Sequence, residues 1–252
     1  MAENLKSLEL GGLRSEITDS VKLFSEKVMS SYGDNLLSVS VFGSSLTDDY
    51  VTGKSDINTV LVLGKESLDS LNTLAGMAKA MSKKKIAVPL VITPEYLESS
   101  RDVFGVEFLD LQLNHKTVYG NDPFEGLSIL KSDVRLQCER ELKATLIRMR
   151  QGYIASAGNM KFVRDIVISA AVGLVPLLRA MLWMKDIDRD AIAEKVLAKA
   201  SAEFSFNADS LIKVLRWKHS KVSADKSEIA SVFETVYANV EQLASIVDGL
   251  EV

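Results

Sequence analysis

Every run that reads as a β-strand falls in the first half of this 252-residue chain, and every patterned run after residue 125 reads as a helix. Leu36 to Phe42 is short, β-branched and partly alternating, as a strand should be. Ile57 to Leu63 is a second apolar run, closed by Gly64. Ile86 to Ile92 is a third, in which Pro89 points to an edge or bulged position. Val106 to Leu113 and Lys116 to Tyr119 add two further candidate strands. Helices are expected at Arg14 to Tyr32, where Ile17, Val21, Phe24 and Val28 recur, and at Ser67 to Met81, with Leu68, Leu71, Leu74, Met77 or Ala78, and Met81. Thr93-Pro94-Glu95 is a helix start: a hydroxyl cap, a proline in the first turn, then an acid near the positive end of the dipole.

After Asn121-Asp122-Pro123 the expected helices are Asp133 to Tyr153, Met160 to Met184, Asp190 to Ala200, Ala208 to His219 and Ser227 to Val247. Leu142, Leu146, Met149 and Tyr153 mark one buried face of the first. The chain therefore divides near residue 125 into an α/β half, 1–124, and an all-helical half, 125–252. Charge follows the same division: residues 1–124 carry 12 basic and 17 acidic side chains, residues 125–252 carry 18 and 17, for a net charge of -4.

That mild acidity argues against a protein that coats nucleic acid through bulk charge. A single cysteine, Cys138, cannot form an internal disulfide and reads as a small buried hydrophobe. Two histidines, His115 and His219, are too few for a zinc site built from several His and Cys ligands. The start, MAENLKSLELGG, lacks the basic and apolar regions of a signal peptide, so a cytoplasmic location is expected. Ile166 to Leu178 is apolar apart from Ser169, but it stops at Arg179, short of the roughly 20 residues that span a bilayer. It reads as the central helix of a bundle, which Pro176 should kink or divide, and no membrane partner is expected.

The chemistry concentrates where the first strand ends. Gly43 lets the backbone turn tightly and approach a ligand, and the exposed amides and Ser44 hydroxyl are suited to phosphate oxygens. After eleven intervening residues, Asp56 and Asn58, two apart, point to one face of the next strand. Oxygen-bearing side chains beside a phosphate-binding turn suit a hard cation such as magnesium.

This Gly-Ser, spacer and Ser55-Asp56-Ile57-Asn58 wording resembles the nucleotidyltransferase superfamily, which includes DNA polymerase beta and the aminoglycoside nucleotidyltransferases. The likeness covers roughly residues 35–124, and Val103 to Phe124 is similar to bacterial relatives described only as nucleotidyltransferase-like. The resemblance implies an α+β fold: a mixed sheet with flanking helices, then a helical bundle that forms the far wall of the substrate cleft. It implies transfer of a nucleoside monophosphate from a nucleoside triphosphate to a hydroxyl acceptor, on a small molecule, RNA or protein, with Mg2+. Gly43 and Ser44 would cradle the phosphates, and Asp56 with Asn58 would form the catalytic and metal-binding pair.

Two departures from the pattern stand out. The second acid of the motif is Asn58, and the third strand, expected to bring the last carboxylate, contains none. Glu95, Asp102, Glu107 and Asp110 lie nearby in sequence, Glu107 and Asp110 being the first to consider. Losing two of three carboxylates weakens charge stabilisation in phosphoryl transfer, so the expectation is an enzyme with weak or lost turnover. The alternative is a non-catalytic nucleotide-binding or protein-interaction module on the same fold.

Other signals are bland. Gly53-Lys54-Ser55 imitates the end of a P-loop, but Asp48 stands where the first glycine is required and a strand follows. Arg135, Arg140, Lys143, Arg148 and Arg150 on one helix, and Lys213 to Lys221 with Arg216, Trp217 and His219, read as solvated basic faces with Trp217 in the core. The competing reading is a groove for an acidic substrate or RNA.

Overall fold

The computed structural model describes residues 7–219 and 225–252; Met1 to Lys6, residues 220–224 (with Lys221) and the side chain of His219 lie outside the described residues. The chain forms two compact units. One comprises Met1–Arg101 with Leu111–Ser128, the other Asp102–Asp110 with Ile129–Val252.

The first unit is built on a four-stranded mixed sheet. Strands β1 (Leu36–Phe42), β2 (Asn58–Leu63), β3 (Leu90–Ile92) and β4 (His115–Gly120) lie in the order β3-β2-β1-β4. β1 pairs antiparallel with β2 and β4, while β3 adds parallel to β2. Helices α1 (Ser15–Tyr32) and α2 (Leu68–Lys83) cover one face. Ile17, Val21, Phe24 and Val28 of α1 are all buried with Val39, Val41, Leu61 and Leu63, each such side chain contributing about 1.5–3 kcal/mol. On α2 the buried apolar side chains are Leu74, Met77 and Met81; Leu68 and Leu71, expected on the same stripe, are exposed at the first turns. Ser67 caps α2 through a reciprocal bond with Ser70.

The third expected strand is shorter than Ile86 to Ile92. Ile86 makes a lone parallel bridge to Ile57, and the ladder resumes only at Leu90. Pro89 lies between them and has no N–H to give, which fits its edge position. Thr93 Oγ1 accepts from Tyr96 N at 3.1 Å and starts α3 (Pro94–Ser99) as the sequence indicates.

Val106 to Leu113 is not a strand but helix α4 (Gly105–Leu113). A strand would point Glu107 and Asp110 to opposite faces. A helix brings residues three apart together, and both find polar partners in the helical unit. Glu107 accepts from Gln137 Nε2 at 2.6 Å, and Asp110 accepts from Arg179 Nη1 at 2.8 Å. Gly105 fits because a β-carbon there would lie 2.9 Å from Val134 Cγ2.

The helical unit continues with α5 (Lys131–Ala155), α6 (Met160–Met184), α7 (Ala193–Phe204), α8 (Ala208–His219) and α9 (Lys226–Asp248). α6 is central, packing against the other four. It runs unbroken through Pro176, so the proline does not end it. It is the one described helix long and apolar enough to cross a membrane, and 61% of its most apolar stretch is buried inside the protein. On α5, Leu142, Leu146 and Met149 are buried, but Tyr153 is 45% exposed and lies against Phe233, ring centroids 4.8 Å apart. Cys138 is fully buried, and burial pushes its thiol up to about 12.

Candidate functional site

At the end of β1 the chain turns at Gly43, whose φ of +78° is the left-handed region that glycine enters without strain. Residues Gly43–Leu46 form one 3-10 turn. Gly43 N donates to Asn114 O at 3.2 Å, and Asn114 Nδ2 donates back to Gly43 O at 3.0 Å. Both polar groups of Gly43 are thus committed to the scaffold. The turn is closed by Ser45 Oγ, donating to Phe42 O at 3.2 Å, and by Thr47 N, donating to Ser44 O at 3.0 Å. Ser44 Oγ takes no part in these bonds.

Asn58 opens β2 and pairs with Phe42, beside the turn. Its Nδ2 lies 3.3 Å from where a β-carbon on Gly43 would stand, so the side chain faces Gly43 closely. Asp56 precedes the strand and is exposed. Between them Ile57 is locked in extended backbone: its N donates to Lys85 O at 2.7 Å, and its O accepts from Ala87 N at 3.0 Å. Ile57 is 1% exposed and belongs to the core under α1 and α2. Strand alternation then turns Asp56 and Asn58 together to the opposite face.

Neighbours that sequence spacing could not reveal complete this region. Tyr50, half-buried, has its hydroxyl pushed up by burial first and then by the negative charges of Glu16 and Asp56. Glu16 itself is held below the usual carboxylate range by a backbone N–H and by the Ser15 hydroxyl at the start of α1. Arg14, just before that helix, pairs with Asp48 in the loop between turn and strand. Nothing in the sequence links positions 14 and 16 to position 56; the sheet core beneath α1 does so.

The donor set does not fit a two-metal centre. Among the described residues no three His, Cys, Asp or Glu side chains gather in a group able to hold a metal ion. Near the turn the motif offers one carboxylate and one amide, less charge than two divalent ions require. Glu107 and Asp110 are taken up by Gln137 and Arg179, as described above. Burial pushes the Asp110 carboxyl up, with Arg179 opposing it.

The basic helix faces are likewise committed. Arg135 and Lys143 bind Glu139, Arg140 and Arg148 lie near Glu141, and Arg150 binds Glu241 and Tyr237. Lys213 pairs with Glu228 and Arg216 with Glu194, while Trp217 is buried. The 51–55 segment folds as a turn leading into β2, unlike a P-loop.

No family model matches the chain, and no curated protein matches it. Among solved structures it is similar to a spectinomycin adenyltransferase from Enterococcus faecialis crystallised with ATP and spectinomycin. The likeness covers 88% of this chain and 98% of that one, with a TM-score of 0.57 at 10% identity. The chain therefore has a nucleotidyltransferase-like fold, an α+β arrangement with a mixed four-stranded sheet and a helical C-terminal region.

Proposed function

We propose that this protein binds a nucleoside triphosphate at the 43–46 turn and transfers its nucleotidyl group to a hydroxyl acceptor only slowly. The observation that carries the reading is the left-handed Gly43 turn beside the shared face of Asp56 and Asn58. The Ser44 hydroxyl and the amides of the turn that follow Gly43 hold phosphate oxygens. Gly43, bound at both polar groups by Asn114, keeps the turn rigid. Asp56 and Asn58 orient what lies against the turn, and the acceptor is a hydroxyl-bearing small molecule. The similar enzyme crystallised with ATP and spectinomycin supports both ligand classes.

Slow transfer follows from the missing carboxylates. With one acid where the superfamily pattern has three, charge developing on the transferred phosphorus meets little fixed compensation. The same observation favours a second reading, a nucleotide-binding module without turnover.

Calorimetric titration of ATP, with and without magnesium, into wild type and Asp56→Ala tests the binding. ATP should bind the wild type and bind the variant more weakly. Absence of binding in both would remove every nucleotide reading and leave a protein-interaction module. Pyrophosphate release with hydroxyl-bearing acceptors, spectinomycin among them, then separates slow transfer from none.

A further inference from the structure

The sheet unit carries a pocket of about 440 Å³ at the other end of β1 from the Gly43 turn. Its floor is Ser38 on β1 and Val62 on β2, which are paired across the ladder. Its walls are α3, through Leu97 and Glu98, and the segment after β4, through Asp122, Glu125 and Leu127. Four residues of strand lie between Ser38 and Gly43, five steps or about 16 Å, so this pocket is separate from the nucleotide turn. Its volume lies in the range of small-molecule sites.

Three observations give it a chemistry. Ser38 is 2% exposed, and its Oγ has no hydrogen-bond partner within the protein, a cost a fold rarely carries without use. The lining carries three carboxylates, Glu98, Asp122 and Glu125, against one cation, Arg101. Arg101 is already satisfied by Glu98 and by Ser128 O at 3.3 Å, and it ties the two walls together. Asp122 is held by His115 Nε2 at 2.9 Å and by Phe124 N at 2.8 Å, which fixes the second wall. Glu125 is exposed and lines the pocket, with no such commitment.

We infer that this pocket is a second ligand site, taking a small organic molecule with a protonated amine on an apolar body. The apolar body lies against Val62, Leu97 and Leu127, the ammonium group faces Glu125, and a polar group of the ligand bonds Ser38 Oγ. The inference is independent of the nucleotide reading.

Amide NMR spectra of the full chain, titrated with benzylamine and separately with benzoate, test it. Benzylamine should shift the amides of Ser38, Glu98 and Gly126 saturably, and benzoate should not. With tyramine, which adds a ring hydroxyl to the amine and so can also bond Ser38 Oγ, Ser38→Ala and Glu125→Gln should each weaken binding roughly fivefold, the loss of about one hydrogen bond or surface charge pair. Neither is expected to harm the fold, since one hydroxyl is unpartnered and the other side chain exposed. ATP binding by Ser38→Ala should match wild type. The inference is overturned if benzylamine gives no saturable shift, if benzoate binds as well, or if both variants bind tyramine like wild type.

Discussion

Asn58 Nδ2 stands 3.3 Å from the point that a β-carbon on Gly43 would occupy. Glycine is demanded at position 43 by its φ of +78°, and a methyl group there would also require the Asn58 amide to shift by a few tenths of an ångström. Gly43→Ala should cost about 1–2 kcal/mol for the left-handed backbone alone. In a chain of this size each kcal/mol lowers the melting temperature by about 2–4 °C. Adding Asn58→Ala should recover part of the loss, because the amide no longer crowds the new methyl group. A melting curve for Gly43→Ala that overlays wild type would contradict the described turn.

Asn58→Asp asks whether the missing charge is what limits the site. It places a second carboxylate on the face that Asp56 already occupies. ATP binding should become magnesium-dependent and tighten roughly tenfold in its presence. Titrations with and without the ion provide the check, and unchanged binding would show that Asp56 and position 58 do not act together.

Much of this was legible in the residues. The alternating run Leu36 to Phe42 and the helical repeat of Ile17, Val21, Phe24 and Val28 became β1 and the buried stripe of α1 because burial enforces the period in each. Val106 to Leu113 reads as a strand because Val106, Phe108, Leu109 and Leu111 are all buried, so the apolar residues of α4 show no single helical stripe. Its two acids, three residues apart, were the available clue, and their partners Gln137 and Arg179 lie far along the chain. Gly43, Ser44, Asp56 and Asn58 could be named from spacing alone. Tyr50 and Glu16 could not, since only the packing of α1 on the sheet brings their charges into range of one another.

Ser38→Ala should raise stability, whereas most buried substitutions lower it. The hydroxyl is buried without a partner, and an unsatisfied group of this kind costs about 1–3 kcal/mol. An increase of about 1 kcal/mol in urea unfolding is expected, read as a higher midpoint at unchanged slope.

Gln137 is 4% exposed and serves α4 with both ends of its amide. Oε1 accepts from Val106 N at 2.9 Å, and Nε2 donates to Glu107 Oε2 at 2.6 Å. Gln137→Leu would strand a buried backbone N–H and should cost about 1–3 kcal/mol. Hydrogen exchange at Val106 should accelerate more than at residues of α9.

Cys138 gives a pH signature. Its folded value, about 12, lies above the roughly 8.5 of a free thiol. Below pH 8.5 both states hold the proton and the shift has no effect. From there upward the unfolded chain ionises first, so stability falls as pH rises towards 12. Cys138→Ala should flatten that part of the profile in alkaline unfolding curves. At pH 8 iodoacetamide should label the wild type only after denaturation.

The sheet unit gives up the chain at Arg101, receives it again at Leu111, and releases it finally after Ser128. Neither unit is a single uninterrupted stretch, so no one cut separates them. A gene fragment ending before residue 125 would carry Val106 and Leu109 away from the helical core to which they belong. It would also leave Gln137 and Arg179 without their acidic partners. Such a chain cannot be assembled by joining two ready-made modules end to end. A transplant of either unit has to bring the 102–110 excursion along or build a replacement for it.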